Sequence, residues 1–404
     1  MYIEREIEST VDTMLRQGKV LLVTGARQVG KTTMLKQHLG NSFTYTTMDD
    51  ARDRALAKQD AALFFDSKTL PLIIDEIQRA PELFLPVKLL VDQSDEKGRI
   101  ILTGSQTYHL MKGVSESLSG RIRTLQMPGL NLRELLGNAM QPHAYVPRKL
   151  DAADCAPAPS TDIWNIIHRG SMPELQNPSI DWDSFYSDYV STYLERDVRE
   201  LINVKDETRF YNFMVACAAR TGQLFNASEL AAAVGIDHKT AKSWLSVLQA
   251  SNIVRIVEPF WPNVNKRLTK MPKIFFMDTG LACHLTRWIT PEQLKNGAVA
   301  GHMFETFAVS EVLKSYMNAG ANLRDVWFYR DSKKREIDLI IQEGHILHPV
   351  EVKTAATVGA DAIKNFECLE KLIGYEVGFG HVICQAREPY HISRNVQAVP
   401  VWAI

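Results

Sequence analysis

Gly25, Gly30, Lys31 and Thr32 stand at the spacing GxxxxGK[ST] in the run Gly25-Ala26-Arg27-Gln28-Val29-Gly30-Lys31-Thr32. The chemistry of that spacing is the gripping of phosphate. Glycines let successive backbone N–H groups turn inward around an anion, and the start of a helix adds positive potential. Lys31 reaches the terminal phosphates and Thr32 offers a hydroxyl to Mg²⁺. We therefore expect Gly25, Ala26, Arg27, Gln28, Val29, Gly30, Lys31, Thr32 and Thr33 to hold the nucleotide. A second group follows in Leu72-Ile73-Ile74-Asp75-Glu76, an apolar strand ending in two acids where a parallel sheet presents its carboxyl ends. Asp75 suits Mg²⁺, held through water, and Glu76 suits the orientation or deprotonation of an attacking water. A third strand ends at Thr103-Gly104-Ser105-Gln106, where Ser105, or second Gln106, is placed to touch a γ-phosphate or the water. Arg121 is the expected source of positive charge from a neighbouring subunit.

Toward the other end, Glu305 falls on an expected helix, Asp338 in an apolar strand, and Glu351-Val352-Lys353 at the end of a later one. Residues two apart on a strand share a face, so Glu351 and Lys353 point together while Val352 turns into the core. The order of these residues resembles the core of the PD-(D/E)XK nucleases, and the resemblance implies that Asp338 and Glu351, with Glu305 completing the acidic cluster, hold Mg²⁺ or Mn²⁺, and that Lys353 orients a water or stabilises charge.

Between these groups, Asn226-Ala227-Ser228-Glu229 reads as a capping box, Gly235 as a helix stop, and a second helix starts after Asp237. That helix puts Ala241, Leu245 and Leu248 on one face and Lys239, Lys242 and Ser246 largely on another, as a helix-turn-helix requires. The apolar run 253–257 would be its wing. The basic cluster 265–273 is able to neutralise phosphates. DNA is the expected macromolecular partner, with a protein partner as the alternative.

The elements that position these residues fall into blocks. Apolar runs at 19–24, 43–47, 70–75, 100–104 and 122–126 alternate with helical stretches, which predicts a parallel α/β sheet over 1–137. Prolines 142, 147, 157 and 159 mark a linker or long loop over 138–160. Helical spacing dominates 161–260, with long helices expected at 185–202 and 207–220. A second α/β unit spans 261–404, with a helix at 304–316 and strands at 326–329, 337–342 and 348–353. The aromatics Phe185, Tyr186, Tyr189 and Tyr193, and Trp164, Trp182 and Trp244, read as packing residues; His168, His345 and His348 have no metal-ligand spacing.

The order GARQVGKTT, LIIDEIQ, ILTGSQ, SLSGR, YLERDVREL and a final EVK resembles the bacterial and archaeal AAA-type ATPases that carry a C-terminal domain of unknown function related to the PD-(D/E)XK nucleases. The resemblance covers nearly the whole chain. It implies an AAA-like ATPase core using ATP and Mg²⁺, a nuclease-like tail, and a homo-oligomer, and it places Arg121 on the family's SLxGR arginine.

Composition sets the outer bounds. At 404 residues, 45% of them hydrophobic, and roughly 150 residues per domain, two to three globular domains are expected. The 46 basic and 47 acidic residues nearly cancel, so any nucleic-acid contact must be a local patch. No apolar stretch is long enough to cross a bilayer, the first residues do not form a secretory signal, and five scattered cysteines never form a CxxC pair. These features lead us to expect a cytoplasmic protein with reduced thiols and no membrane partner. The leading expectation is an ATP-hydrolysing protein acting on or near DNA. Its rival is a nucleotide-controlled scaffold or regulatory switch whose tail keeps the nuclease shape without its chemistry.

Overall fold

A computed structural model describes residues 2–105, 118–155, 158–198, 207–262 and 270–404. Helix α1 (Glu8–Gln17) precedes β1 (Val20–Thr24), which turns into α2 (Lys31–Leu39). There follow β2 (Thr44–Thr47), α3 (Ala51–Gln59), α4 (Ala61–Asp66), β3 (Leu72–Asp75), α5 (Phe84–Asp92), β4 (Ile100–Gly104) and β5 (Ile122–Gln126). The five strands are parallel, in the order β2-β3-β4-β1-β5. β1 is buried along its whole length, because a parallel sheet is covered on both faces. Its two-residue period sends Val20 and Leu22 to one side with Ile74, Ile100 and Leu102, under Phe64, Phe84 and Val87. Leu21 and Val23 go to the other with Ile73, Ile101 and Leu125, against Ile7, Val11, Met34 and Leu35. β1 lies between β4 and β5, so the chain order reverses there and opens a crevice at its carboxyl end.

The middle section begins with α6 (Leu132–Leu135), α7 (Ile163–Arg169) and α8 (Trp182–Tyr193). α8 starts at Trp182, three residues before the expected 185, because Asp181 caps it by accepting the Ser184 N–H. It passes into a π-helical turn at Leu194–Val198, and the expected continuation to 202 lies outside the described residues. α9 (Glu207–Ala218), β6 (Gln223–Leu224), α10 (Ala227–Val234), α11 (His238–Ala250), β7 (Val254–Val257) and β8 (Lys273–Phe276) follow. Half of the expected capping box forms. Asn226 accepts from the Ser228 and Glu229 N–H groups, while the Glu229 carboxylate pairs with Arg220. Gly235 ends α10 in the left-handed region at φ +73°. On α11, Ala241, Leu245 and Leu248 are buried while Lys239, Lys242 and Ser246 are exposed, and Trp244 packs between Phe210 and Phe213. The boundary expected at 260 needs correction, because β8 pairs antiparallel with both β6 and β7 and so extends the middle sheet to Phe276.

Two short helices, α12 (Thr279–Leu285) and α13 (Pro291–Asn296), lead to α14 (Ala300–Asn318). The tail sheet comprises β9 (Val326–Arg330), β10 (Glu336–Glu343), β11 (Ile346–Val352), β12 (Glu376–Val377), β13 (Gly380–Cys384), β14 (Tyr390–Ser393) and β15 (Val396–Pro400). Its order is β14-β15-β13-β11-β10-β9, with β12 also on β11. The chain is thus mixed α/β, with a parallel sheet at its amino end. α14 is buried on nearly every side and touches β5, β8 and β11. One apolar cluster accordingly runs from Ile7 through Phe210 to Val401. The described part of the stretch expected as a linker holds one short 3-10 turn (Ala152–Asp154) and docks on the tail. Leu150 exchanges two backbone hydrogen bonds with the Gln397 amide, and Tyr145 Oη meets His381 Nδ1 at 2.7 Å. His381 Nε2 lies 2.8 Å from the Arg148 carbonyl. One neutral tautomer satisfies both contacts, with Nε2–H donating and Nδ1 accepting from the tyrosine.

Residues 129–134 tie the units together. Arg5, buried, donates to the Val29 carbonyl (2.9 Å) and the Pro128 carbonyl (2.8 Å), and its Nε lies 3.1 Å from Glu134. Glu134 also accepts the Glu6 and Asn131 N–H groups. Leu132 N–H donates to Glu311 on α14 at 2.7 Å, Lys314 donates to the Leu130 carbonyl at 2.9 Å, and Arg133 donates to Ile404 O at 2.8 Å.

Burial holds His381 well below the ordinary histidine value, at about 4. A folded-state value below the unfolded one means the unfolded chain binds the extra proton. The contribution of His381 to stability is therefore full above about pH 6.5 and declines as pH falls toward 4, by on the order of 3 kcal/mol. Urea unfolding of wild type and His381→Gln across that window should show it as a change in the difference between the two, since the raised carboxyls that titrate in the opposite sense are common to both. Arg5→Ala should cost about 3–5 kcal/mol by stranding Glu134, read as a fall in unfolding midpoint; Arg5→Lys should recover little of it, since an ammonium lacks the planar fork.

Candidate functional site

The phosphate loop joins β1 to α2 at the sheet's crevice. Gln28 and Gly30 are left-handed, at φ +60° and +90°, and a Cβ on Gly25 would stand 2.4 Å from the Met127 carbonyl. The first and last glycines therefore serve close approach and turning respectively. Lys31 Nζ, buried, donates to the Gly25 and Ala26 carbonyls at 3.0 and 2.9 Å. Thr32 Oγ1 donates to Asp75, 3.0 Å from each carboxylate oxygen. This is the hydroxyl–carboxylate pair that would hold Mg²⁺ between them, and the donor set fits that hard cation, which would neutralise developing phosphate charge when bound.

Three residues that sequence reasoning did not single out support the acids, two of them on Asp75 and one on Glu76. Tyr45 Oη donates to Asp75 at 2.8 Å, and Thr103 Oγ1 donates to its other oxygen. The register explains Thr103: Leu102 sits beside Ile74, so the next residue on β4 lies beside Asp75. Gln78 donates to Glu76. Glu76 itself is left-handed (φ +54°, ψ +44°), a conformation that costs a non-glycine residue energy and clusters at functional sites. Burial raises its carboxyl above the ordinary glutamate value; Lys31 opposes the shift and Asp75 adds to it. Ser105 follows β4, is buried, and its hydroxyl has no hydrogen-bond partner among the described residues. Gln106 lies outside the described residues.

Arg121 is not part of this pocket. It precedes β5, and Val20 pairs with Ile122 while Thr24 pairs with Gln126, so Arg121 stands at the opposite end of the sheet from the loop. There it makes a two-pronged pair with Asp92, 2.5 and 2.9 Å, at the surface.

The second group gathers around an unexpected member. Lys273 was expected in a phosphate-neutralising basic cluster; it is instead buried, at 2% exposure. Its Nζ lies 2.7 Å from Glu305, 2.6 Å from Glu336 and 3.7 Å from Asp338. The sequence hid this because Lys273 begins β8, and the chain leaving β7 bonds along β9 through Phe260 and Phe328, which lays the middle sheet against the tail. Residues 263–269, most of the expected cluster, lie outside the described residues. Glu351 and Lys353 do share a face, 2.7 Å apart, Val352 is buried between them, and the Val352 N–H donates to Asp338 at 2.9 Å. Burial, then Asp338, push Glu305 up to about 8 against the pull of Lys273. Burial, then Asp338, push Glu351 up to about 7 against Lys353. Burial alone would lower Lys273, but Glu305, Asp338 and Glu336 more than offset it and raise it. Among the described residues no group of three or more acids, histidines or cysteines is placed to hold a metal. Glu305, Asp338 and Glu351 are brought together there, with the Lys273 ammonium 2.7 Å from Glu305 and 3.7 Å from Asp338, and the Lys353 ammonium 2.7 Å from Glu351.

The remaining expectations resolve as packing. Phe185, Tyr186, Tyr189 and Tyr193 are buried, as are Trp164 and Trp244, and Trp182 stacks on His168 with ring centroids 4.3 Å apart. No described helix is long and apolar enough to cross a membrane.

Residues 17–136 match an AAA domain family. Residues 160–292 match one domain of unknown function (DUF8612) and residues 300–404 another (DUF4143). Uncharacterized proteins of Mycobacterium tuberculosis and Mycobacterium bovis are each 27% identical over 99% of this chain and 84% of their own length. Among solved structures, a Walker-type ATPase of Pyrococcus abyssi aligns with TM-score 0.44 and 16% identity over 70% of this chain and 96% of its own. RuvB of Thermotoga maritima aligns with TM-score 0.30 and 18% identity over 63% and 89%. The AAA match spans the phosphate loop, Asp75 and Ser105 together, so residues 17–136 are similar to an AAA-type ATPase domain, which supports ATP binding and hydrolysis.

Proposed function

We propose that this protein is a Mg²⁺-dependent AAA-type ATPase that acts on or near DNA, its nucleotide state biasing how the middle section and the nuclease-like tail are held. The observation that carries the ATPase part is the Thr32–Asp75 pair, fixed by Tyr45 and Thr103, with Glu76 beside it at the phosphate loop. In this reading Lys31 leaves the loop carbonyls for the terminal phosphates. Thr32 and Asp75 hold Mg²⁺, and Glu76, positioned by Gln78, orients the attacking water. Phosphoryl transfer asks for positioning and charge stabilisation of this kind. Ser105 is the candidate to meet the γ-phosphate. The DNA part rests on the exposed Lys239, Lys242 and Ser246 of α11 in what we read as a winged helix formed by α9, α10, α11 and the β6-β8-β7 sheet. Assembly into a homo-oligomer belongs to the same proposal, and there Arg121 would have to leave Asp92 to reach a neighbour's phosphate.

The rival, a nucleotide-controlled scaffold for a protein partner, is favoured by one observation: the acids of the tail are already engaged by cations of the chain, Glu305 and Glu336 by Lys273 and Glu351 by Lys353.

Phosphate release and nucleotide retention test the core. Lys31→Ala should lose ATP retention, whereas Glu76→Gln should keep it and lower turnover by about 10²-fold or more; turnover unchanged in both removes these roles. For the DNA part, affinity measured across a salt series should show a slope, and Lys239→Glu together with Lys242→Glu should reduce it by about two. A flat series favours the scaffold.

A further inference from the structure

The resemblance that suggests a metal-using tail and the geometry of its pocket disagree. Glu305 comes from α14, Asp338 and Glu336 from β10, and Glu351 from the end of β11. These four carboxylates face three cations of the chain itself. Lys273 bridges Glu305 and Glu336 at 2.7 and 2.6 Å, Arg330 takes the other oxygen of Glu336 at 2.5 Å, and Lys353 takes Glu351 at 2.7 Å. Asp338 is 3.7 Å from Lys273 on one oxygen and accepts the Val352 N–H on the other. A divalent cation needs oxygens at about 2.0–2.6 Å on several sides, and Lys273 stands at the side of the pocket where Glu305 and Asp338 converge. An ammonium and a metal ion so close would repel in surroundings that screen poorly. Yet the pocket keeps the mark of a cation site. Glu351 Oε2 is buried, its residue only 7% exposed, with no hydrogen-bond partner among the described residues. An acceptor left this way is costly unless a cation or a donor reaches it.

We propose that Lys273 is the resident cation of this pocket, so that the tail takes no divalent metal while Lys273 is in place, and that removing its ammonium opens a site for a hard divalent ion on Glu305, Asp338 and Glu351. The inference concerns the tail alone and stands apart from the ATPase reading. The lysine is supplied by β8, a strand of the middle sheet, so the pocket is completed from outside the tail's own fold.

Mn²⁺ titration of the full chain without nucleotide, with free ion counted by electron paramagnetic resonance, tests it. Wild type should bind no Mn²⁺ whose uptake depends on Asp338. Lys273→Met, which keeps bulk and drops charge, should gain one Mn²⁺, at least tenfold tighter than any uptake by wild type, and lose it again when Asp338→Asn is added. Lys273→Met with Glu336→Gln removes one charge of each sign and carries the same expectation should the single variant fail to fold. A wild-type ion that Asp338→Asn abolishes overturns the proposal, and so does a folded Lys273→Met that takes up none. With neither variant folded, the wild-type titration decides alone: Asp338-dependent uptake overturns the proposal, and its absence supports it.

Discussion

A charge taken out of water has to be met by an opposite charge or by several hydrogen bonds, and much of this chain's arrangement follows from that requirement. Arg5 is buried against Glu134, Lys314 against Glu311, and Lys273 against Glu305 and Glu336. Arg5 and Lys273 join segments that lie far apart in the chain, and Glu311 and Lys314 both reach back from the tail to residues 130–132. Apolar packing brings the three units into a common core. The ionic pairs then fix which residues meet, because a slipped arrangement would leave a carboxylate or a guanidinium alone.

This fixing reaches the phosphate loop. The Val29 carbonyl is held by Arg5, which is held by Glu134, on the helix whose first residue, Leu132, donates to α14. A change in the loop's backbone on taking up phosphates would therefore be felt through buried, directly hydrogen-bonded groups. Population shift by a ligand requires that the two arrangements differ in what they offer it. Arg5 is where such a difference would enter, since one side chain serves both the loop and the segment gripped by the tail.

The amino-terminal site was largely legible because its parts are local. Gly25 to Thr32 form a continuous string, and Asp75 and Glu76 end a strand whose apolar run marks where it stops. What pairing adds was not legible: Tyr45 and Thr103 reach Asp75 across neighbouring strands, and only the register reveals it. In the tail, only the local strand geometry was legible. Glu351, Val352 and Lys353 followed from the two-residue period of a strand, and the burial of Val352 agrees. Lys273 was misread because neighbours in sequence, among them Lys266, Arg267 and Lys270, suggested a solvated basic patch. A lysine's sequence context says nothing of which acids a distant helix will bring to it. Proline content marked residues 138–160 as a linker or long loop, but it cannot report that Tyr145 and Leu150 find partners on the tail.

Because the cation of the acidic pocket is borrowed from β8, the electrostatic unit does not coincide with the segments that sequence similarity delineates, one ending at 292 and the next beginning at 300. A tail excised at that seam would carry Glu305 and Glu336 without their shared lysine. Exchange of whole modules is thereby constrained: a tail of this kind would keep its charge balance beside a different amino-terminal domain only together with the strand that neutralises it.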